Sequence, residues 1–283
     1  MPEMHVTSSA WSRCRRSGIG LTAIVLLVAL LLAGCGDLFS DGPNGPEWCD
    51  HSFNLRSFRD FDQVETCRRI GSDLHIGESD AIQDLRGLQH LEQVGGRLQI
   101  HRNSALASLA GLEALTSVGA ELSLLGNPLL EDLDPLVGLT QIGGYLDLQE
   151  NEQLRRIDGL EGLRGELEYI HLYDLPALER LDGLTGVTGV RGSLYLRQLE
   201  RLEALTGLEG LATIVDDLVI DRNSALASLD GLANLVSLGG GLQITNNPRL
   251  PTCAAEALRD RLVAEGWTGP VAIRGNDDGG SCD

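Results

Sequence analysis

Gly95-Gly96-Arg97-Leu98-Gln99-Ile100-His101-Arg102-Asn103-Ser104-Ala105-Leu106-Ala107-Ser108-Leu109-Ala110-Gly111-Leu112-Glu113-Ala114-Leu115-Thr116-Ser117-Val118 is one period of this chain. Leu98 and Ile100 alternate with polar neighbours, as in a short strand that puts two side chains on one face. Leu106, Leu109, Leu112, Leu115 and Val118 then recur every three residues. A sustained step of three does not fit an α-helix, whose apolar face mixes threes and fours. It fits a chain turning corners around a narrow core, with Gly95, Gly96 and Gly111 at the corners.

The period extends in both directions. Leu74, Leu98, Leu122, Leu146, Ile170, Leu194, Leu218 and Leu242 stand 24 residues apart, and Ile76 to Ile244 keep the same step two places on. Further columns start at Ile82, Leu85, Leu88, Leu91 and Val94. Through seven full repeats every slot in these columns is aliphatic except Glu166. A drift-free period of this length predicts a solenoid, mainly β, of about eight 24-residue coils. Its strands should stack in parallel register, about 4.8 Å per coil. Asn103, Asn127, Asn151, Asn223 and Asn247 share a column after the strand, where an inward amide can satisfy a buried turn. Leu175 and Leu199 interrupt that column. The octet Arg102–Leu109 recurs letter for letter at Arg222–Leu229, which points to duplication within the array.

The ends differ from the middle. Phe58, Phe61, Val64, Cys67 and Ile70 carry the three-residue step back by one coil, as an N-terminal cap over 49–70 preceding coils over 71–250. All four Phe (39, 53, 58 and 61) precede the array and can close that end. In the C-terminal cap, 251–283, a short helix is predicted from Cys253 to Gly266, with Thr252 as N-cap and Gly266 as C-cap. Val271-x-Ile273-x-x-Asn276 then repeats the strand-and-Asn pattern 29 residues after Leu242.

The first 34 residues read as a leader. Arg13, Arg15 and Arg16 precede an apolar stretch from about Ile19 to Ala33, too short for a comfortable membrane span. The stretch ends in Leu32-Ala33-Gly34-Cys35, which resembles the lipobox of bacterial lipoproteins at all four positions. That resemblance implies acylation of Cys35 as the mature N-terminus, a tether through residue 48, and a lipid anchor in the cell envelope. Gly36, with no Asp at that position, leans toward the outer rather than the inner membrane. In an exported chain Cys49, Cys67, Cys253 and Cys282 are expected to form two disulfides. Cys49–Cys67 and Cys253–Cys282 close local loops, whereas the other connectivities would tie together the ends of a long array. Neither pair has zinc-ligand spacing, and no metal or cofactor is expected.

The pattern G-G-x-L-x-I-x-x-N-x-x-L-x-x-L-x-G-L-x-x-L-x-x-V resembles the receptor L-domain family from about Cys49 to Cys282. The resemblance implies a right-handed parallel β-helix related to leucine-rich repeats, with disulfide-bonded caps. Its matching residues are core and turn positions, so it implies a fold and no ligand.

Composition and surface positions bound the function. The chain has 22 basic residues, all Arg, against 41 acidic ones, for a net charge of -19. Such a surface argues against nucleic acid as partner. All four Tyr fall at outward strand positions in three consecutive coils: Tyr145, Tyr169, Tyr173 and Tyr195. Asp147, His171, Gln149 and Arg197 share their neighbourhood. Flat rings with polar tips suit a protein, peptide or glycan ligand, although an aromatic ladder that only stiffens a sheet is the plainer alternative. Ser123, Asp147 and His171 share a column, but Asp147 separates Ser123 from His171, the wrong order for a triad. Asp134, Asp158 and Asp182 stack beside turns, ordinary turn chemistry rather than a calcium site. A non-enzymatic recognition or structural module is therefore expected, with a polysaccharide-active enzyme as the rival; the oligomeric state is open.

Overall fold

The computed structural model describes residues 47–282. Cys35 and the leader expected over residues 1–34 lie outside the described residues. The described chain is mainly β and parallel, with short 3-10 turns, one C-terminal helix and two disulfides.

Ten strands form the principal sheet: β1 (Phe53–Leu55), β2 (Leu74–Ser79), β3 (Leu98–Asn103), β4 (Glu121–Leu125), β5 (Tyr145–Gln149), β6 (Tyr169–Tyr173), β7 (Leu194–Arg197), β8 (Leu218–Asp221), β9 (Leu242–Thr245) and β10 (Val271–Arg274). They lie side by side in chain order, every pair parallel. From β2 to β9 the register equals the sequence period, so Leu98 pairs with Leu122 and Leu146 with Ile170. At the ends the offset changes: Phe53 pairs with Leu74 and Leu242 with Val271. The strands hold because each residue's backbone groups bond across to the next repeat, while alternate side chains enter the core. Leu146, Leu148, Ile170 and Leu172 have no solvent exposure. Each such leucine contributes roughly 2 kcal/mol of transfer free energy, and together with the step-of-three leucines they make one continuous core.

The opposite edge of each repeat carries shorter strands. Trp48–Cys49, Arg69–Ile70, Gln93–Val94, Ser117–Val118 and Gln141–Ile142 form a five-stranded sheet. Gly165–Leu167, Val187–Val190, Thr213–Ile214 and Ser237–Leu238 form a separate four-stranded one. The division falls at the one polar slot in the aliphatic columns. Glu166 is exposed, and Leu167 fills the buried slot instead, paired with Val190 across a register shift. The next corner absorbs the extra residue: Gly143 and Gly144 precede Tyr145, whereas Glu168 alone separates Leu167 from Tyr169.

Between the sheets, five repeats form a 3-10 turn, such as Asp158–Leu160 and Asp182–Leu184. Gly159 shows why glycine follows the Asp, since a Cβ there would lie 1.7 Å from the Leu133 carbonyl oxygen of the preceding repeat. The asparagine column forms a ladder. Asn127 Nδ2 donates to Ile100 O (2.8 Å), and its Oδ1 accepts from Asn103 N (3.2 Å). Asn223, Asn247 and Asn276 repeat the pattern at the other end. The residue before each ladder position is left-handed: Glu78, Arg102, Glu150, Asp174, Gln198, Arg222 and Asn246 have φ between 52° and 58°, and Gly126 and Gly275 take the same place.

Phe53 and Phe61 close the N-terminal end as expected of the cap, but Phe58 is exposed, and Phe39 lies outside the described residues. Cys49–Cys67 and Cys253–Cys282 are bonded, each within its own end. The helix α1 (Thr252–Ala264) starts one residue early, with Pro251 rather than Thr252 at its N-cap. Thr252 Oγ1 instead lies 2.6 Å from Asp278 Oδ1. Gly266, just beyond, takes φ 95°. Ala255, Leu258 and Leu262 turn inward and, with Trp267, cover the C-terminal end of the core.

Candidate functional site

The parallel register brings the predicted residues together. Tyr145 pairs with Tyr169, Asp147 with His171 and Gln149 with Tyr173 across β5 and β6. His171 pairs with Tyr195 and Tyr173 with Arg197 across β6 and β7. Because odd positions of these strands face away from the core, all these side chains stand on one outer surface.

Their rings interlock. Tyr145 and Tyr169 meet edge to face, centroids 5.2 Å apart at 87°. His171 meets Tyr195 edge to face at 5.6 Å and stacks on Tyr173 at 6.0 Å. The Arg197 guanidinium lies 5.0 Å from the Tyr195 centroid, an attractive cation–π distance. Tyr169 is seated by Gly192, where a Cβ would come 2.5 Å from the tyrosine ring carbon Cζ. Asp216 pushes the Tyr169 phenol pKa up, and burial and the neighbouring Tyr145 and Tyr195 add to it.

Tyr145, Asp147, Tyr169, His171, Tyr195 and Arg197 line one hollow of about 270 Å³, together with Glu121. Tyr173 does not line it and acts from beside it, through its stack on His171. Tyr145 is the most open of the four tyrosines, 43% exposed.

Asp147 is fully engaged. Gln149 Nε2 donates to both its oxygens (2.8 and 2.9 Å), and His171 Nδ1 stands 3.2 Å from Oδ1. The Ser123 hydroxyl donates to Oδ2 at 3.5 Å. Ser123 Oγ also shares a hydrogen bond with His101 Nε2, 2.8 Å away. This serine–histidine contact escaped the column argument because His101 sits two places off the Ser123 column. Ser123 is 2% exposed, which gives a substrate no access to its hydroxyl as a nucleophile. Arg197 contrasts with Asp147. Its Nε is buried without a hydrogen-bond partner, and among the described residues no carboxylate forms an ion pair with its guanidinium. Its register partner Asp221 turns to Thr245 Oγ1 (2.6 Å) and Asn246 Nδ2 (2.8 Å).

Glu121 was missed although the period points to it, since it stands 24 residues before Tyr145 in the same column. Its carboxyl is held above the usual range, first by burial and then by the Asp147 charge. Burial lowers the imidazoles of His75 and His101, whose rings meet edge to face at 5.5 Å.

A larger hollow of about 770 Å³ lies beside Glu47, Arg68, His90 and Glu92. Its arginine already bonds Glu92 and Glu47, and it contains no tyrosine. Among the described residues no group of three or more His, Cys, Asp or Glu could hold a metal ion, and no helix is long and apolar enough to cross a membrane. No protein-family model matches the chain, and no curated protein matches it in sequence.

Proposed function

We propose that this chain is a lipid-anchored, non-enzymatic recognition module of the bacterial cell envelope, held through an acylated Cys35 and more suited to the outer than the inner membrane. Its scaffold is a right-handed solenoid of the receptor L-domain type. The lockstep of register and sequence period from β2 to β9 supports that reading, as do the two locally disulfide-bonded ends. The ligand, a protein, peptide or glycan, sits on the outer face of β5–β7. One observation carries this: every tyrosine of the chain is gathered on three adjacent strands, around a hollow whose arginine has no acid partner among the described residues. A ring ladder built only to stiffen the sheet gains nothing from an unpaired guanidinium.

The test is an array of immobilised glycans and peptides probed with the full chain and with Tyr169→Ala. Binding without product release, weakened by the substitution, is the expected result. Binding indifferent to Tyr169 and Tyr195 would move the site elsewhere. The anchor is tested separately: Cys35→Ser should abolish detergent partitioning, and a variant that still partitions would remove the lipid from the reading.

A second reading has one observation in its favour. Glu121, with its raised pKa, and Asp147 line the same hollow, and a pair of carboxyl groups is what glycoside cleavage requires. Release of shortened oligosaccharide, lost in Glu121→Gln, would favour an enzyme. Against it, both oxygens of Asp147 are already occupied by Gln149.

A further inference from the structure

We infer that the tyrosine hollow is a subsite for a carboxylate-bearing sugar, a uronic acid residue within a polysaccharide, with Arg197 pairing the sugar carboxylate. The inference rests on the recognition reading above and names the ligand class of that site.

Three features lead to it. The first is the distribution of unmet bonding capacity. Asp147 at one side of the hollow is saturated by Gln149, His171 and Ser123, so it has little to offer a cation. Arg197 stands over the Tyr195 ring, 5.0 Å from its centroid, with its Nε buried and without a hydrogen-bond partner, and its register partner Asp221 bonds Thr245. A guanidinium held by a cation–π contact is positioned for pairing with a planar carboxylate. In a chain of net charge -19, Arg197 is the one arginine lining a hollow that also holds Glu121 and Asp147, so charge complementarity calls for an anionic group at the Arg197 end.

The second feature is the sheet itself. Backbone N–H and C=O groups of β5–β7 are consumed by their parallel neighbours on both sides. An extended peptide cannot add to this face as another strand, which is the ordinary way a sheet grips a peptide. Only side chains are offered. A sugar ring brings its own apolar C–H face for the tyrosines and its own hydroxyls for polar side chains.

The third feature is size. A hollow of about 270 Å³ lies just below the range of roughly 300–1,000 Å³ that encloses drug-sized ligands. It fits a single ring unit of a chain that continues across the open surface. The rings of Tyr145, Tyr169 and Tyr195 supply the floor, and His171, fixed by Asp147, supplies a polar edge. Glu121, at the far side from Arg197 in strand order, keeps the carboxylate end of the sugar toward Arg197.

The experiment is titration calorimetry of the full chain with oligogalacturonate and oligomannuronate, and with the methyl ester of the oligomer that binds. The expected result is binding of a free acid and a loss of tenfold or more on esterification, the scale of a charged hydrogen-bonded pair. Arg197→Gln should lose a similar factor and no longer distinguish acid from ester. Equal binding of acid and ester by the unsubstituted chain overturns the assignment, and this comparison needs no variant to fold. Binding of neither uronate also overturns it, as does tighter binding of a glucosamine oligomer or a polyglutamate peptide. The underlying recognition reading fails differently: Tyr169→Ala and Tyr195→Ala would leave the affinity of any bound ligand unchanged.

Discussion

Two stretches of the array keep their asparagine ladder, Asn103–Asn151 and Asn223–Asn276, and the repeats between them do not. In the ladders each buried turn is closed by an amide that bonds backbone in the preceding repeat. In the middle, Leu175 and Leu199 fill the same place with hydrocarbon and are fully buried. Leu199 N is still met by Asn223 Oδ1 at 2.9 Å, so the lower ladder reaches one repeat up, but neither leucine can pass the pattern on. The same middle holds the Glu166 bulge, the break between the two shorter sheets and the tyrosine hollow. Irregularity inside the array and the candidate site outside it thus coincide. The lesson is that a repeat can exchange a hydrogen-bonded turn for an apolar one without losing register, provided its strand and its three-step leucines stay in place.

That comparison can be broken most forcefully at the strands. Leu148→Asp should unfold the chain, because a buried unpaired carboxylate costs several kcal/mol, comparable to a domain's whole stability. Asp147→Ala, its outward neighbour, should cost about 1 kcal/mol. Similar thermal midpoints for the two would mean that the strand does not hold the register. Next comes the turn. Asn127→Leu leaves the backbone partners of Asn127 unmet and should cost about 3 kcal/mol, while Leu175→Asn, which trades burial for bonds, should cost about 1 kcal/mol. Denaturant titrations giving equal losses would show that the amide does no more than fill space.

Acid should separate the regions further. His75 and His101 lie on β2 and β3, beside the upper ladder, and burial holds both imidazoles below the ordinary histidine value. The folded chain therefore resists protons that the unfolded chain accepts. Stability is intact above about pH 6.5 and falls as the pH drops below it. Glu121 has the opposite sign: its contribution is full below the unfolded glutamate value near 4.5 and is lost as pH rises through the raised folded value. Hydrogen exchange at mildly acidic pH should accelerate first in β2 and β3, and His101→Gln should reduce the effect. Unchanged exchange in β2 and β3 would break this assignment. The smallest effect concerns the left-handed column. Glu150→Gly and Asp174→Gly should each stabilise by about 1 kcal/mol, since glycine removes the Cβ strain of that conformation. A much larger gain at Asp174 would mean that the leucine-filled turn is the more strained of the two.

Strand register was legible because a fixed period states it outright: Tyr145 and Tyr169 had to be neighbours once the repeats stacked. The disulfides were legible from locality. The substitution of Leu167 for Glu166 was not, because it needs one corner lengthened and the next shortened, and neither change alters the total spacing between Tyr145 and Tyr169. The left-handed column escaped because Glu, Arg, Asp and Gln carry no sign of that conformation; only Gly126, Asn246 and Gly275 hint at it. Phe58 fell on the right step but in a cap whose repeat is short, where the step no longer implies burial. At the hollow, the ring contacts follow from register, while the isolation of Arg197 depends on which way Asp221 turns, a rotamer choice that spacing does not encode.

The identical octets Arg102–Leu109 and Arg222–Leu229 occupy equivalent places in the fold as well as in the sequence. Unequal crossing-over between the two coding segments would delete five whole repeats and rejoin the chain in phase. Asn103 would then precede Asn247 directly, both cysteine pairs would be retained, and every core column would continue without a gap. The excised portion contains all four tyrosines, the bulge and both leucine-filled turns. Inheritance could thus strip this protein of its candidate binding surface in one event while leaving a shorter chain that satisfies every rule of folding the longer one obeys.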